Sequence, residues 1–189
     1  MHDLALIGAS YRTVSIDVLG RLLLPKEELA ARLPRLAEAL GVQELLYLGT
    51  CNRLEIVARL NPGQQAESLR PRVFAALSGR EPEAREAQRL FRVWAGAGAV
   101  EHLLLVACGL DSAQVGDRDI ANQLRDAWLL ARTAGVAGSR LDQLVAAALL
   151  AAREVRELDA RGETPARNGL AARAATHVLR HLAGMRDRV

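Results

Sequence analysis

Cysteine is scarce in this sequence of 189 residues, which contains only Cys51 and Cys108. Two cysteines cannot form a disulfide framework, and without a Cys-x-x-Cys pair or clustered histidines they cannot form a structural zinc site. His177 and His181 are four residues apart, but no third metal ligand accompanies them. A cysteine here is therefore expected to be either a single reactive thiol or a buried apolar side chain.

Long uninterrupted apolar runs are also missing. The first residues lack the positively charged start and apolar core of a signal peptide, and charges break every longer apolar stretch well short of a membrane span. No Gly-x-Gly-x-x-Gly or Walker-type loop occurs in the sequence, so no nucleotide cradle is recognisable. These observations predict a cytoplasmic protein that makes no membrane contact.

A large excess of charge of one sign is absent as well. The 25 Lys and Arg residues against 22 Asp and Glu give a net charge of +3, too small by itself to indicate a nucleic-acid-binding protein. The excess lies in residues 151–189. Arginines of this region are candidates for contacts with an RNA backbone, although a solvated helix face explains them equally well; they are Arg153, Arg156, Arg161, Arg167 and Arg173.

What is present is enough apolar sequence for a folded core, since 50% of the residues are hydrophobic and 25% are charged. Apolar periodicity predicts helices over residues 25–40 and 66–78, and strands over 3–9, 43–49, 54–60 and 90–94. The order is strand, helix, strand, strand, helix, strand. It predicts an α+β fold with a ferredoxin-like antiparallel sheet and helices on one of its faces.

The second half of the chain is predicted to be helical. Helical periodicity covers residues 100–108, 120–134, 141–158 and 170–182, with glycines between the segments. We expect one folded domain over residues 1–160. Residues 161–189 are interpreted as a linker and the start of a C-terminal helix.

The connection between two predicted strands carries the strongest candidate for chemistry. It consists of Thr50, Cys51, Asn52 and Arg53, and loops held by rigid strands commonly carry functional residues. A guanidinium at Arg53 can stabilise a thiolate, while the neighbouring hydroxyl and amide can orient a carbonyl substrate. A buried structural cysteine explains the pattern equally well. Cys108, inside an apolar run, is predicted to belong to the core.

Two further features are candidates for a polar site. His102, on a predicted helix, is a candidate proton donor or acceptor, although most helical histidines are structural. A polar cluster follows that helix, and either a helix break with an N-cap or a pocket for a polar substrate explains it. The cluster comprises Asp111, Ser112, Asp117, Asp119, Asn122 and Gln123.

Four blocks of the sequence, in order, resemble the catalytic domain of glutamyl-tRNA reductase. The most specific is residues 49–55, around the Thr-Cys-Asn-Arg motif, and the supporting blocks are residues 8–16, 99–103 and 109–123. The resemblance covers about residues 4–158. It identifies residues 1–160 as a domain similar to that catalytic domain.

The resemblance implies an NADPH-dependent oxidoreductase. Enzymes of this family attack the ester of glutamyl-tRNA with a cysteine thiolate, and NADPH reduces the resulting thioester to glutamate-1-semialdehyde for tetrapyrrole synthesis. By resemblance, Cys51 is the nucleophile and His102 assists it. Arg53 is the expected partner of the glutamate carboxylate. The implied substrate-binding residues are Thr50, Asn52, Arg53, Ser112, Asp117, Asp119 and Gln123.

The family also implies partners and a cofactor. Glutamyl-tRNA is the implied substrate, the next enzyme of tetrapyrrole synthesis is a further candidate partner, and family members are homodimers. The sequence ends about where the NADPH-binding domain of the family would begin, and the dimerisation domain is not included either. We therefore expect this chain by itself not to carry out the reduction, whether it is a fragment or a short paralogue.

The sequence departs from the family pattern within these blocks. Tyr11 stands where the family usually has His, and residues 116–119 read Gly-Asp-Arg-Asp where Gly-Glu-Pro-Gln is usual. An additional carboxylate at Asp119 would repel a glutamyl group. Two alternatives stay open: a divergent, non-reducing paralogue that binds a charged tRNA, a tetrapyrrole or a partner protein, and a reused scaffold with an inert Cys51.

Overall fold

This computed structural model describes residues 2–111 and 119–160. The strands are β1 (Leu4–Ser10), β2 (Glu44–Gly49), β3 (Arg53–Arg59) and β4 (Arg92–Ala95). The helices are α1 (Ile16–Leu22), α2 (Leu29–Leu40), α3 (Leu69–Ser78), α4 (Glu86–Leu90), α5 (Ala97–Ala107), α6 (Asp119–Thr133) and α7 (Ser139–Ala160). Ser112, Asp117, the predicted linker and helix after residue 160, and the arginines there lie outside the described residues.

The four strands form one antiparallel sheet in the order β2-β3-β1-β4. This order confirms the predicted ferredoxin-like topology. The register places Gly8 of β1 opposite Glu55 of β3 on one side and opposite Arg92 of β4 on the other. Because directly paired residues of neighbouring strands point to the same face, these three positions lie side by side on one face of the sheet.

Both faces of the sheet are covered by helices. Ile7 and its alternate neighbours on β1 pack in a core with side chains of α1, α2 and α3, as the sequence predicted for one face. Leu6 and Leu4 pack in a second core with side chains of α5, α6 and α7. The helical second half of the chain thus buries the other face of the same sheet, an arrangement that its periodicity did not reveal.

Two short helices were missing from the sequence-based prediction. Helix α1 begins after Ser15, whose Oγ accepts a hydrogen bond from the Val18 N–H at 3.4 Å. It has seven residues and contains Gly20, so its helical periodicity is weak. The strand predicted over residues 90–94 was wrong at its start, because α4 extends to Leu90. Short apolar runs do not distinguish a strand from a helix by pattern.

A buried carboxylate joins the sheet to α7. Glu44, on β2, is 5% exposed, and its Oε2 accepts hydrogen bonds from the N–H groups of Gly138 at 3.0 Å and Leu141 at 2.8 Å. Its Oε1 accepts one from Arg59 Nη1 at 3.2 Å. A Cβ at Gly138 would lie 2.9 Å from Glu44 Cδ. The carboxylate therefore caps the N-terminus of α7, where unpaired N–H groups favour an anion.

The segment between α6 and α7 covers the β2 edge of the sheet. The N–H of Leu45 donates a hydrogen bond to the Val136 carbonyl at 2.8 Å, and residues of α6 pack along β2. Side chains of α6 and the residues after it contribute to both cores. In the described part of the chain, no helix has the length and apolar character needed to cross a bilayer.

Candidate active site

Cys51 lies at the tip of the hairpin that joins β2 to β3. The N–H of Thr50 donates to the Arg53 carbonyl at 2.8 Å, and Thr50 Oγ1 accepts from the N–H groups of Asn52 and Arg53, both at 3.2 Å. The Cys51 side chain is exposed. The N–H of Tyr11 donates to the Asn52 carbonyl at 3.0 Å, so the tip is fixed to the turn that follows β1.

Arg53 extends from the hairpin into a buried charge cluster. Its side chain is 2% exposed, and Nη1 donates to Glu55 Oε1 at 3.1 Å and to Asp111 Oδ2 at 3.3 Å. Nη2 donates to the backbone carbonyl and to Oδ2 of Asp111. Arg12 forms an ion pair with the other carboxylate oxygen, Oδ1 of Asp111, at 3.3 Å. The terminal nitrogens of Arg53 thus already bind two acidic residues of the chain.

His102 joins this cluster from α5. Its imidazole stacks on Trp94 with ring centroids 3.7 Å apart, and Nε2 lies 3.2 Å from Glu55 Oε1. An ionised carboxylate only accepts hydrogen bonds, so we assign the ring hydrogen to Nε2. Nδ1 then holds the lone pair. Glu55 fixes both the tautomer and the orientation of the imidazole.

A cavity of about 160 Å³ lies beside the cluster. Its lining consists of Gly8, Ala9, Ser10, Arg12, Thr13, Glu55, Arg92, Trp94, His102 and Asp111. A Cβ at Gly8 would lie 2.8 Å from Glu55 Cδ and overlap its carboxylate, so this space requires glycine. Glu55 Oε2 is buried and has no hydrogen-bond partner among the described residues. This oxygen is packed against Gly8, and a buried acceptor without a partner is rare in folded proteins.

The structure brings some of the predicted site residues together and separates others. Thr50, Asn52 and Arg53 lie with Cys51 in one hairpin, and Arg53 and His102 both bind Glu55. Cys51 Sγ is not part of the cavity lining. Asp119 and Gln123 lie exposed on the first turns of α6, outside that lining. Cys108 is buried, as predicted.

Sequence reasoning did not assign roles to several residues of this site. Glu55 belongs to the block around the Thr-Cys-Asn-Arg motif, but its burial was not anticipated. The sequence signal that could have indicated it is a charged residue within an apolar strand that is buried on both faces. Asp111 was considered as part of a polar cluster, either a helix break or a substrate pocket, and its ion pair with Arg53 was not anticipated. The positions of Gly8 and Arg92 follow from the pairing of β1 with β3 and β4, which no local pattern specifies.

The fold and this site define an α+β domain with an exposed hairpin cysteine beside a charged cavity, and comparison with known proteins identifies its family. The family model described as glutamyl-tRNAGlu reductase, N-terminal domain, matches residues 7–158. The chain therefore belongs to the glutamyl-tRNA reductase N-terminal domain family.

Named relatives agree with this assignment. Glutamyl-tRNA reductase of Salinispora tropica is 38% identical over 146 residues, which cover 77% of this chain and 32% of the relative. That of Marinobacter nauticus is 32% identical over 163 residues, 86% of this chain and 37% of the relative. The structure of glutamyl-tRNA reductase from Methanopyrus kandleri shares the fold, with a TM-score of 0.66 and 24% identity over 83% of this chain and 35% of that chain. The chain spans about a third of the length of these proteins.

Proposed function

We propose that this chain carries out the acyl-transfer step of glutamyl-tRNA reductase. The Cys51 thiolate attacks the carbonyl carbon of the ester that joins glutamate to tRNA. A carbon–sulfur bond forms, the ester carbon–oxygen bond breaks, and the terminal ribose oxygen of the tRNA leaves as a hydroxyl group that has taken up the proton released by the Cys51 thiol. The observation that carries the proposal is the exposed Cys51, held two residues from the buried Arg53 at the tip of a hydrogen-bonded hairpin.

His102 is the residue proposed to assist this step. With its hydrogen on Nε2 and directed to Glu55, the imidazole has one nitrogen, Nδ1, that can hold or move a proton. The stacking on Trp94 restricts the ring to one plane. Glu55 and Trp94 are therefore positioning residues for His102 in this proposal.

The cavity next to the hairpin is the proposed place for the glutamyl group. It lies between the Ser10–Thr13 turn, which is hydrogen-bonded to the hairpin tip, and the buried Glu55. The wider set of binding residues is proposed from the family pattern. It comprises Thr50, Asn52 and Arg53 in the hairpin, together with Ser112, Asp117, Asp119 and Gln123.

The described residues do not fit the NADPH that the family implies. A cavity of about 160 Å³ is too small for a dinucleotide. The antiparallel sheet also offers no glycine-rich turn from a strand into a helix, the arrangement that binds a pyrophosphate, within the described residues. No hydride step is therefore assigned to them. We expect water to hydrolyse the Cys51 thioester slowly, so that the chain acts as a weak esterase on glutamyl-tRNA.

Intact-mass spectrometry of an acid-quenched mixture with glutamyl-tRNA tests the proposal. We expect a glutamyl mass increment on the unmodified chain and on Cys108→Ser, and none on Cys51→Ser. An unmodified chain without the increment contradicts acyl transfer. If that chain still bound the tRNA in a filter-binding assay, the result would favour the alternative of a non-reducing binding module.

A further inference from the structure

We propose that Tyr11 and Arg12 are positioning residues that hold the Cys51 hairpin against the end of α5. Tyr11 stands where the family usually has His, so the family pattern assigns no role to this phenol. That the hairpin is held for acyl transfer rests on the proposed function. The holding itself rests on contacts among three parts of the chain, which are the hairpin, the turn after β1 and the end of α5.

Three contacts join these parts in a closed triangle. The Tyr11 N–H donates to the Asn52 carbonyl at 3.0 Å, which joins the turn to the hairpin. Arg53 joins the hairpin to the end of α5, because its Nη1 and Nη2 both lie 3.3 Å from Asp111 Oδ2. Arg12 Nη1 lies 3.3 Å from Asp111 Oδ1, which joins the turn to the end of α5. Each part is therefore tied to both of the others.

Asp111 follows α5 but is fixed to it. The N–H groups of Leu110 and Asp111 both donate to the Leu105 carbonyl, at 2.9 and 3.3 Å. His102 lies on the same helix, about one turn before Leu105. Because Cys51 is on the hairpin and His102 is on α5, the triangle sets the placement of the proposed nucleophile relative to the proposed proton acceptor.

The side of the triangle between Arg12 and Asp111 depends on Tyr11. The Arg12 side chain is 44% exposed, and an exposed ion pair is weak by itself because solvation and side-chain entropy oppose it. The Tyr11 hydroxyl accepts a hydrogen bond from Arg12 Nε at 2.9 Å, and the guanidinium carbon lies 5.5 Å from the centre of the phenol ring. The planar guanidinium is thus held at two points, at Nε and at Nη1. Tyr11 acts through Arg12, so removal of its hydroxyl should loosen this side.

A double-mutant cycle on the full chain tests the proposal. Tyr11→Phe removes the hydroxyl and keeps the ring and the backbone N–H, whereas Arg12→Gln removes the guanidinium. Intact-mass spectrometry under single-turnover conditions measures the acylation rate of Cys51 at saturating glutamyl-tRNA. We expect each variant to lower this rate by at least about fivefold. The double variant should be no slower than Arg12→Gln, because the hydroxyl acts only through the guanidinium.

Two further readouts separate positioning from a loss of tRNA binding or of thiol access. Tyr11→Phe removes no charge, so the half-saturating concentration of glutamyl-tRNA should stay within about twofold of the parent value. Iodoacetamide should alkylate Cys51 at the parent rate in every variant, because the thiol stays exposed. Arg21→Gln is the matched control, since Arg21 is an exposed arginine on α1 outside the triangle, and it should acylate at the parent rate.

Amide hydrogen exchange followed by NMR tests the triangle without the reaction. In Tyr11→Phe and in Arg12→Gln, the N–H of residue 11 should exchange at least about threefold faster than in the parent. Unchanged exchange, a parent acylation rate in either single variant, or independent effects in the double variant would overturn the proposal. If the unmodified chain forms no thioester, acyl transfer is refuted, and the exchange rates alone then decide on the triangle.

Discussion

Glu44 Oε2 accepts a hydrogen bond from the N–H of Gly138 across 94 residues of sequence, so a strand carboxylate caps the last described helix. Removing the carboxylate takes an acceptor from several N–H groups and from Arg59 Nη1, while Arg59 keeps its ion pair with Asp3. We expect Glu44→Gln to lower the free energy of unfolding by about 2 kcal/mol and Glu44→Ala by up to about 4 kcal/mol. Urea denaturation measures both. Glu38→Gln, an exposed site on α2, should change nothing measurable, and equal stability of all three variants would contradict the capping role.

The glycine at position 8 should be essential to the cavity. Gly8→Ala places a Cβ against the Glu55 carboxylate, so we expect a loss of about 1–3 kcal/mol in stability and of ligand binding in the cavity. Gly20→Ala is the matched control, because no atom lies within 4 Å of its added Cβ and the site is helical. The free energy of unfolding of Gly20→Ala should exceed that of the parent by about 0.5–1 kcal/mol. A Gly8→Ala protein as stable as the parent would show that the cavity adapts.

The two cysteines should differ sharply toward alkylating reagents. Burial raises the pKa of the Cys108 thiol to about 12, and Cys51 is exposed. Iodoacetamide at pH 8 should modify Cys51 and leave Cys108 intact until urea unfolds the chain, as peptide mass mapping would show. Modification of Cys108 in the folded protein would contradict the burial.

The raised pKa of Cys108 also has a consequence for alkaline stability. The folded state keeps the thiol proton to a higher pH than the unfolded state does. The contribution of this thiol to the free energy of unfolding is therefore complete below the unfolded pKa of about 8.5. It is lost as the pH rises toward the folded value of about 12. Cys108→Ala should therefore show a smaller decline in thermal stability between pH 8 and pH 10.5 than the parent, and parallel declines would argue against this linkage.

Arg53 should not be replaceable by lysine. Its planar guanidinium binds Glu55 and Asp111 together, and an ammonium group cannot reproduce both contacts in a buried site. We expect Arg53→Lys to lower the free energy of unfolding, measured by urea denaturation, by about 2–4 kcal/mol. It should also slow the acylation of Cys51. Arg35→Lys, on the exposed side of α2, is the control and should behave as the parent. If Arg53→Lys were as stable as the parent, binding Glu55 and Asp111 together would not be required for stability, which would contradict this prediction.

The sheet was predictable because its strands are short apolar runs separated by clear turns. The φ of +62° at Gly41 confirms the end predicted for α2, and the hairpin confirms that the Thr50 to Arg53 segment connects two strands. The charge cluster was not predictable in the same way. Arg53 meets Asp111, 58 residues away, and Glu55 meets His102, 47 residues away, through tertiary packing that has no local signature.

The covering of the β2 edge also bears on aggregation. β2 is an apolar strand whose outer N–H groups would otherwise present a template to the edge of another molecule. The Val136 carbonyl and α6 occupy that position. A protein truncated after α5 would expose both this edge and the apolar face that α6 and α7 bury. The ferredoxin-like half of the chain is thus expected to self-associate through β2 when separated from the helices that follow it.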